Sequence, residues 1–262
     1  MDMSGTGNPL LDLALRAALA AGVEIMRVYA EPFEVRQKLD KTPVTEADLA
    51  AERIIEQILR EALPDIPVVS EETAEPEGWT APGPRFWSVD PLDGTREFVN
   101  HTDEFAVNIG LVENGRAVLG IVYGPAIGVT YAAADGKAMR RRGSGDFETI
   151  AARKPPPDGI VVVHSRSHEN SQRLAEYFAE KSVPILERKK CGSALKFGVL
   201  ASGEADFYPR FGTTMEWDTA AGHAILEAAG GSVVTISGTP LVYGKPGLKN
   251  EGFLAWGKKP AW

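Results

Sequence analysis

One cysteine, Cys191, stands among 262 residues, so no disulfide can form within the chain, and a reducing cytosol is the expected setting. Long apolar runs are missing as well. The first apolar stretch, Leu10 to Ala30, is broken by Asp12, Arg16, Glu24 and Arg27 at helical spacing, which predicts an amphipathic surface helix rather than a membrane span. No signal-peptide pattern precedes it. Positive charge is in deficit: 28 Lys and Arg face 36 Asp and Glu, a net charge of −8, which argues against a general nucleic-acid surface. The four histidines (His101, His164, His168, His223) show neither HExxH nor Cys/His spacing, so zinc is not expected. There is no GxxxxGK[ST] loop for a nucleotide triphosphate and no GxSxG elbow for a serine hydrolase. Internal repeats and low-complexity tracts are absent. The 44% hydrophobic and 24% charged content is that of an ordinary globular protein, long enough for one large domain or two closely packed ones.

What is present is organised in two styles. A second helix opens at Thr45-Glu-Ala-Asp48, shows an apolar face of Ala51, Ile55, Ile58, Leu59 and Ala62, and ends at Pro64. A short strand, Ile66 to Ser70, stops at Glu71-Glu72, and a Pro- and Gly-rich acidic loop runs from Thr73 to Pro84. A strand over Arg85 to Val89 leads into an acidic turn. Hairpins are predicted around Asn114-Gly115 and Asp135-Gly136. Lys154-Pro-Pro-Pro157 marks a seam, beyond which strands (160–164, 206–210, 232–236) alternate with helices (171–181, 193–201, 219–229). The division expected is an α+β metal-binding sub-domain over 1–154 and an α/β sub-domain over 158–262.

The chemistry centres on Asp90-Pro-Leu-Asp-Gly-Thr95, which puts two carboxylates and a hydroxyl on one tight turn. Asp93-Gly94 is turn chemistry, since Gly supplies positive φ without steric cost. Hard oxygens on a short arc suit Mg²⁺ or Mn²⁺. Alone, the run could equally be an exposed acidic turn. Glu71 ends a strand and Asp218 opens a helix, whose N-terminus favours a phosphate. Each has a bland alternative: Asp218 as an N-cap, Asp48 as the partner of Thr45 in a capping box, Thr95 as a turn hydroxyl. Together, carboxylates for cations beside a helix end that welcomes an anion suggest phosphoryl transfer, with Thr95 and Asp48 relaying a proton from water. The spacing breaks an EF-hand loop. Two carboxylates alone leave a glycosidase pair open, although five acids are more than it needs.

Glu71-Glu72, Asp90 to Thr95 and Trp217-Asp-Thr-Ala-Ala-Gly222 resemble the signature of the inositol monophosphatase superfamily of Mg²⁺-dependent, lithium-sensitive phosphatases. Within it, Pro43 to Asp48, Asp93 to Phe98, Ser165 to His168, Gly192 to Phe197 and Phe207 to Gly212 are most similar to bacterial 3′(2′),5′-bisphosphate nucleotidases, over about Lys38 to Gly244. The resemblance implies a layered αβαβα sandwich of two sub-domains with the site between them. It implies that Glu71, Asp90, the Leu92 carbonyl, Asp93 and Asp218 hold two or three Mg²⁺ ions, Mn²⁺ being a substitute. Asp90 would bridge two metals, Thr95 and Asp48 would activate the water, and Glu72 would support it. Arg96 stands where the family commonly has Lys.

On the substrate side, Gly94, Thr95 and Asp218 are also expected to bind substrate. Ser193 and Lys196 would anchor a second phosphate, Arg210 would bind phosphate or stack on a base, and His168 would lie near adenine. Lys196 as a solvated helix lysine and Arg210 paired with an acid are the structural alternatives. The expected activity is removal of the 3′-phosphate from adenosine 3′,5′-bisphosphate, and from its sulfated analogue, clearing a by-product of sulfate activation. The rivals are a broader phosphatase for inositol monophosphate or fructose 1,6-bisphosphate, and a non-catalytic nucleotide or metal sensor. The expected partner is this small phosphoester, with no nucleic acid and no integral membrane segment, in a monomer or homodimer. Cytoplasmic location is expected, with peripheral association with the inner membrane as the alternative.

Overall fold

A computed structural model of the chain describes residues 6–37, 43–74, 82–166, 171–179 and 183–259. Two helices come first, α1 (Pro9–Tyr29) and α2 (Glu46–Ala62), with a two-stranded ribbon of β1 (Val35–Gln37) and β2 (Pro43–Thr45) between them. Asn8 caps α1 through its side-chain oxygen, and Pro9 occupies the first helical position, where its missing N–H does no harm. Next is a seven-stranded sheet in chain order: β3 (Val68–Ser70), β4 (Arg85–Asp93), β5 (Ala106–Glu113), β6 (Arg116–Gly124), β7 (Val129–Ala134), β8 (Lys137–Arg142) and β9 (Glu148–Thr149). Only β3 and β4 run parallel. Both predicted hairpins form, with Asn114, Gly115, Asp135 and Gly136 all at positive φ, as a two-residue turn between twisted strands requires.

The sheet is covered on both faces, which explains its long apolar strands. Trp87, Val89, Ile109 and Ile121 pack toward α1 and α2, whereas Phe86, Val112 and Val122 join a second core with α5 (Leu195–Ala201) and α6 (Ala220–Ala228). Below α5 and α6 lies a five-stranded sheet ordered β11 (Ile185–Lys190), β10 (Ile160–His164), β12 (Phe207–Arg210), β16 (Phe253–Trp256), β14 (Ser232–Thr235). Helix α4 (Ser171–Ala179) closes the stack, with Leu174 and Phe178 against Phe207, Leu254 and Trp256. The order helix, sheet, helix, sheet, helix is the expected αβαβα layering. A small ribbon, β13 (Thr214–Met215) with β15 (Lys249–Asn250), flanks the start of α6. Among the described residues no helix is long and apolar enough to cross a membrane.

Among the differences from the sequence expectation, two shape the sheets. The acidic run is not a free turn after Val89: β4 continues to Asp93, with a bulge. Asp90 pairs with Asn108 and Asp93 with Ala106, so Pro91 and Leu92 face Val107 alone. A bulge re-aims side chains and tolerates Pro, which has no ladder N–H to offer. The second difference is that β11 and β16 had no counterpart in the reading; Ile185–Lys190 is an exposed, charged edge strand, and Phe253–Trp256 is only four residues of unbroken apolar sequence.

Helix α6 sits unusually close to the large sheet. Gly110 and Gly120 pair across β5 and β6, and a Cβ on Gly120 would lie 2.2 Å from the Ala221 carbonyl oxygen. Gly120→Ala must therefore move a backbone rather than a flexible side chain. It should destabilise by about 2 kcal/mol or more in equilibrium urea unfolding; a loss below about 0.5 kcal/mol would show that the helix is not seated on this pair.

Candidate active site

Three carboxylates distant in sequence converge at the bulge. Glu71, Asp90 and Asp218 each offer an oxygen, and these atoms all lie within 4.8 Å of one another. Each is placed by the backbone. Glu71 follows β3, and its N–H donates to the Val89 carbonyl at 3.1 Å. Asp90 is fully buried on β4 and accepts the Leu92 N–H at 3.0 Å. Asp218 precedes α6, and its side chain does not cap that helix: Oδ2 accepts the Met215 N–H at 2.8 Å instead.

Their charges are mutually hostile. Burial, followed by Glu71, Asp93, Asp218 and Glu72, pushes the Asp90 carboxyl well above the usual carboxylate range. Burial, followed by Asp93 and Glu71, does the same to Asp218. Like charges held together out of water need protons or a cation. An all-oxygen donor set this compact suits a hard divalent ion, whose ligands at about 2.1 to 2.6 Å lie up to about 4.2 to 5.2 Å apart across it. The acid cluster can hold a metal.

Asp93 stands beside this trio and faces the second half of the chain. Its Oδ2 accepts the Asn108 side-chain N–H at 3.1 Å and the Ala194 N–H at 2.5 Å. Burial raises its carboxyl, and Lys196 is foremost among the groups that oppose the rise. Gly94, at φ 93°, then turns the chain into the short helix α3 (Thr95–Val99). The Thr95 hydroxyl lies 3.1 Å from Asp48 Oδ1 and 3.3 Å from the Leu92 carbonyl. Asp48 is buried and does form the capping box: its Oδ2 accepts both the N–H and the hydroxyl of Thr45, at 2.8 and 2.7 Å. The helix cap and the Thr95 contact thus use different oxygens of one carboxylate. Burial raises the Asp48 carboxyl, against the hydrogen bonds from Thr45 and Thr95. Glu72 is half-buried, and its backbone N–H serves the buried Glu52.

On the substrate side, Lys196 is 3% exposed, which removes the solvated-lysine alternative. Its ammonium bonds the Cys191 and Ser193 carbonyls at 3.3 and 2.5 Å and stands 5.1 Å over the Tyr208 ring. Ser193 is half-buried in the left-handed region at φ 46°. Arg210 makes no ion pair among the described residues; it reaches the Thr213 carbonyl at 3.5 Å, and its Nε is buried without a partner. His168 lies outside the described residues. His223 is buried on α6 and bonds the Tyr243 hydroxyl at 2.8 Å. A cavity of about 400 Å³ lined by Glu56, Arg60, Val68, Ser70 and Pro82 contains none of the predicted site residues.

Two buried residues escaped the sequence reading. Asn108 is a lone amide in the apolar strand β5, and that break in pattern was a usable signal. Glu216 accepts the Gly244 and Lys245 N–H groups at 2.6 and 3.0 Å and pairs with the Lys245 ammonium at 2.6 Å, tying the Asp218 segment to residues 244–245. Nothing local in the sequence marks it.

The family model described as the inositol monophosphatase family matches residues 8–258. The 3′(2′),5′-bisphosphate nucleotidase CysQ of Escherichia coli O157:H7 is 44% identical over 249 residues, 93% of this chain and 98% of that protein. Among solved structures, CysQ from Bacteroides thetaiotaomicron, a bacterial member of the inositol monophosphatase family, superimposes with a TM-score of 0.81 at 35% identity, covering 97% of this chain and 99% of that one. An IMPase from Thermotoga maritima gives 0.77 at 27% identity, covering 95% and 92%.

The raised carboxyls fix the sign of a pH effect. Asp90 and Asp218 hold protons more tightly in the folded chain than in the unfolded one. Their destabilising charge is absent below the ordinary carboxylate range and grows as pH rises through their folded values. In EDTA the melting temperature should therefore climb as pH falls from about 7 to about 5, and saturating Mg²⁺ should flatten that slope. Parallel slopes with and without Mg²⁺ would exclude cation binding at this cluster.

Proposed function

The chain belongs to the inositol monophosphatase family, and from that premise we propose that it is a Mg²⁺-dependent 3′(2′),5′-bisphosphate nucleotidase. It removes the 3′-phosphate of adenosine 3′,5′-bisphosphate, giving AMP and phosphate. What carries this reading is an acid cluster suited to divalent cations beside a hydroxyl–carboxylate pair, in a chain 44% identical to a bisphosphate nucleotidase. Two or three Mg²⁺ ions, or Mn²⁺ in their place, would be held by Glu71, Asp90, the Leu92 carbonyl, Asp93 and Asp218. They would supply cancellation of charge on the phosphate and leaving oxygen and acidification of water.

The remaining work falls to the chain. Thr95 accepts a proton from the attacking water as it gives its own to Asp48. Two bonds from Thr45 fill one oxygen of Asp48, so the other is left to receive Thr95. Withdrawal of Asp48 from water strengthens it as a base. Glu72 steadies the water from its neighbouring position on the turn. A non-catalytic binder has no use for this relay.

Specificity resides on the far side of Asp93. Ser193 and Lys196 hold the non-reacting phosphate, and Arg210 supplies a planar fork to phosphate or base. The buried ammonium and the unpartnered Arg210 Nε support the assignment.

Phosphate release from a panel of phosphoesters, with and without Mg²⁺, tests the reading. Equal kcat/KM for inositol monophosphate and adenosine 3′,5′-bisphosphate would replace it with a broad sugar phosphatase. Thr95→Ala is expected to lower kcat by about 10²- to 10⁴-fold while Mg²⁺ titrations stay unchanged; near-normal turnover would remove the relay. Lys196→Ala should raise KM for the bisphosphate about tenfold more than for adenosine 3′-monophosphate, and equal effects on both would deny it the second anchor.

A further inference from the structure

We propose that Glu104 is a positioning residue that holds the loop of residues 191–196 against Asp93, and that this hold sets the preference for a substrate with a second phosphate. The selectivity half rests on the function proposed above; the loop-holding half does not.

Glu104 lies between α3 and β5 and binds two separate segments from beyond the seam. Its carboxylate takes the Arg166 Nε and Nη2 at 2.6 and 2.8 Å, a bidentate pair, and Oε2 also accepts the Gly192 N–H at 2.8 Å. Its main chain is wedged as well. A Cβ on Gly192 would lie 2.3 Å from the Glu104 carbonyl oxygen, and one on Gly94 would lie 3.3 Å from the same atom. Glu104 therefore fills the space between the residue that follows Asp93 and the residue that precedes Ser193.

The loop needs an external hold. Ser193 sits at φ 46°, which non-glycine residues adopt only when their surroundings impose it. The Ala194 N–H reaches Asp93, and the Lys196 ammonium folds back onto the Cys191 and Ser193 carbonyls. One stretch of backbone thus carries the proposed phosphate anchors and touches a proposed metal ligand. Without Glu104, Gly192 loses its acceptor, and the loop is free to leave the left-handed conformation.

Cys191, the only cysteine, opens this loop and serves as a built-in probe. Glu104→Ala and Arg166→Gln are prepared as full-length, Mg²⁺-loaded protein, and labelling by 5,5′-dithiobis(2-nitrobenzoate) is timed. The charge effects on the thiol oppose each other, because Glu104 raises its pKa and Arg166 lowers it. Labelling about tenfold faster in both variants therefore reports release of the loop. Faster labelling in the Glu104 variant alone, or in neither, overturns the hold. In the second arm, kcat/KM for adenosine 3′,5′-bisphosphate relative to adenosine 3′-monophosphate should fall about tenfold in both variants through KM, with kcat within about threefold. A ratio that keeps its wild-type value while labelling accelerates overturns the selectivity role. A wild-type ratio near one instead sinks the nucleotidase reading and the selectivity half with it, and the labelling rates still decide the loop.

Discussion

Mutual repulsion among Glu71, Asp90, Asp93 and Asp218 is the constraint around which this fold is arranged. Carboxylates withdrawn from water would separate or take up protons if side-chain packing alone positioned them. Each is instead fixed by backbone hydrogen bonds in the segment that carries it or in a neighbouring one: Val89 to the Glu71 turn, Leu92 to Asp90, Met215 to Asp218, Ala194 to Asp93. Such bonds orient the charges without neutralising them. Attraction for a divalent cation is stored in the fold as unrelieved repulsion.

That storage depends on the layers. The bulge in β4 turns Asp90 and Asp93 out of simple alternation, so both fall on one face of the sheet rather than on opposite faces. The paired Gly110 and Gly120 let α6 approach until its backbone touches theirs, which carries Asp218 to β4. Side chains at those two positions would lift α6 and widen the acid cluster. Core packing and site geometry are here one property, since the same helix separates the two sheets and delivers a carboxylate.

Sequence made the local devices legible and left the convergent ones hidden. The capping box at Thr45, both Asn/Asp-Gly hairpins and the alternation beyond the seam follow from short-range rules, and all are found. The convergence of Glu71, Asp90 and Asp218 was inferable from residue type and from family resemblance, not from spacing, because Asp218 lies more than a hundred residues from the other two. The strand β16 was illegible for a physical reason: four apolar residues between glycines carry no periodicity, and only the neighbours β12 and β14 define them as central. Glu216 was hidden likewise, since a carboxylate beside Trp217 reads as surface until Lys245 and the 244–245 backbone close over it.

Asp48 shows why structural and functional explanations of one residue need not compete. A carboxylate has two oxygens, and the capping box occupies one of them completely. The cap fixes the rotamer, so the second oxygen is aimed at Thr95 before any substrate arrives. In the proposed relay, a proton acceptor oriented by the helix cap would require no rearrangement when the water is activated, and preorganisation of this kind is where electrostatic catalysis has its advantage over solvent. The same geometry limits substitution: a shorter or longer acid would have to abandon either the helix start or the threonine. Stability of α2 and competence of the proposed relay would therefore be coupled through a single side chain.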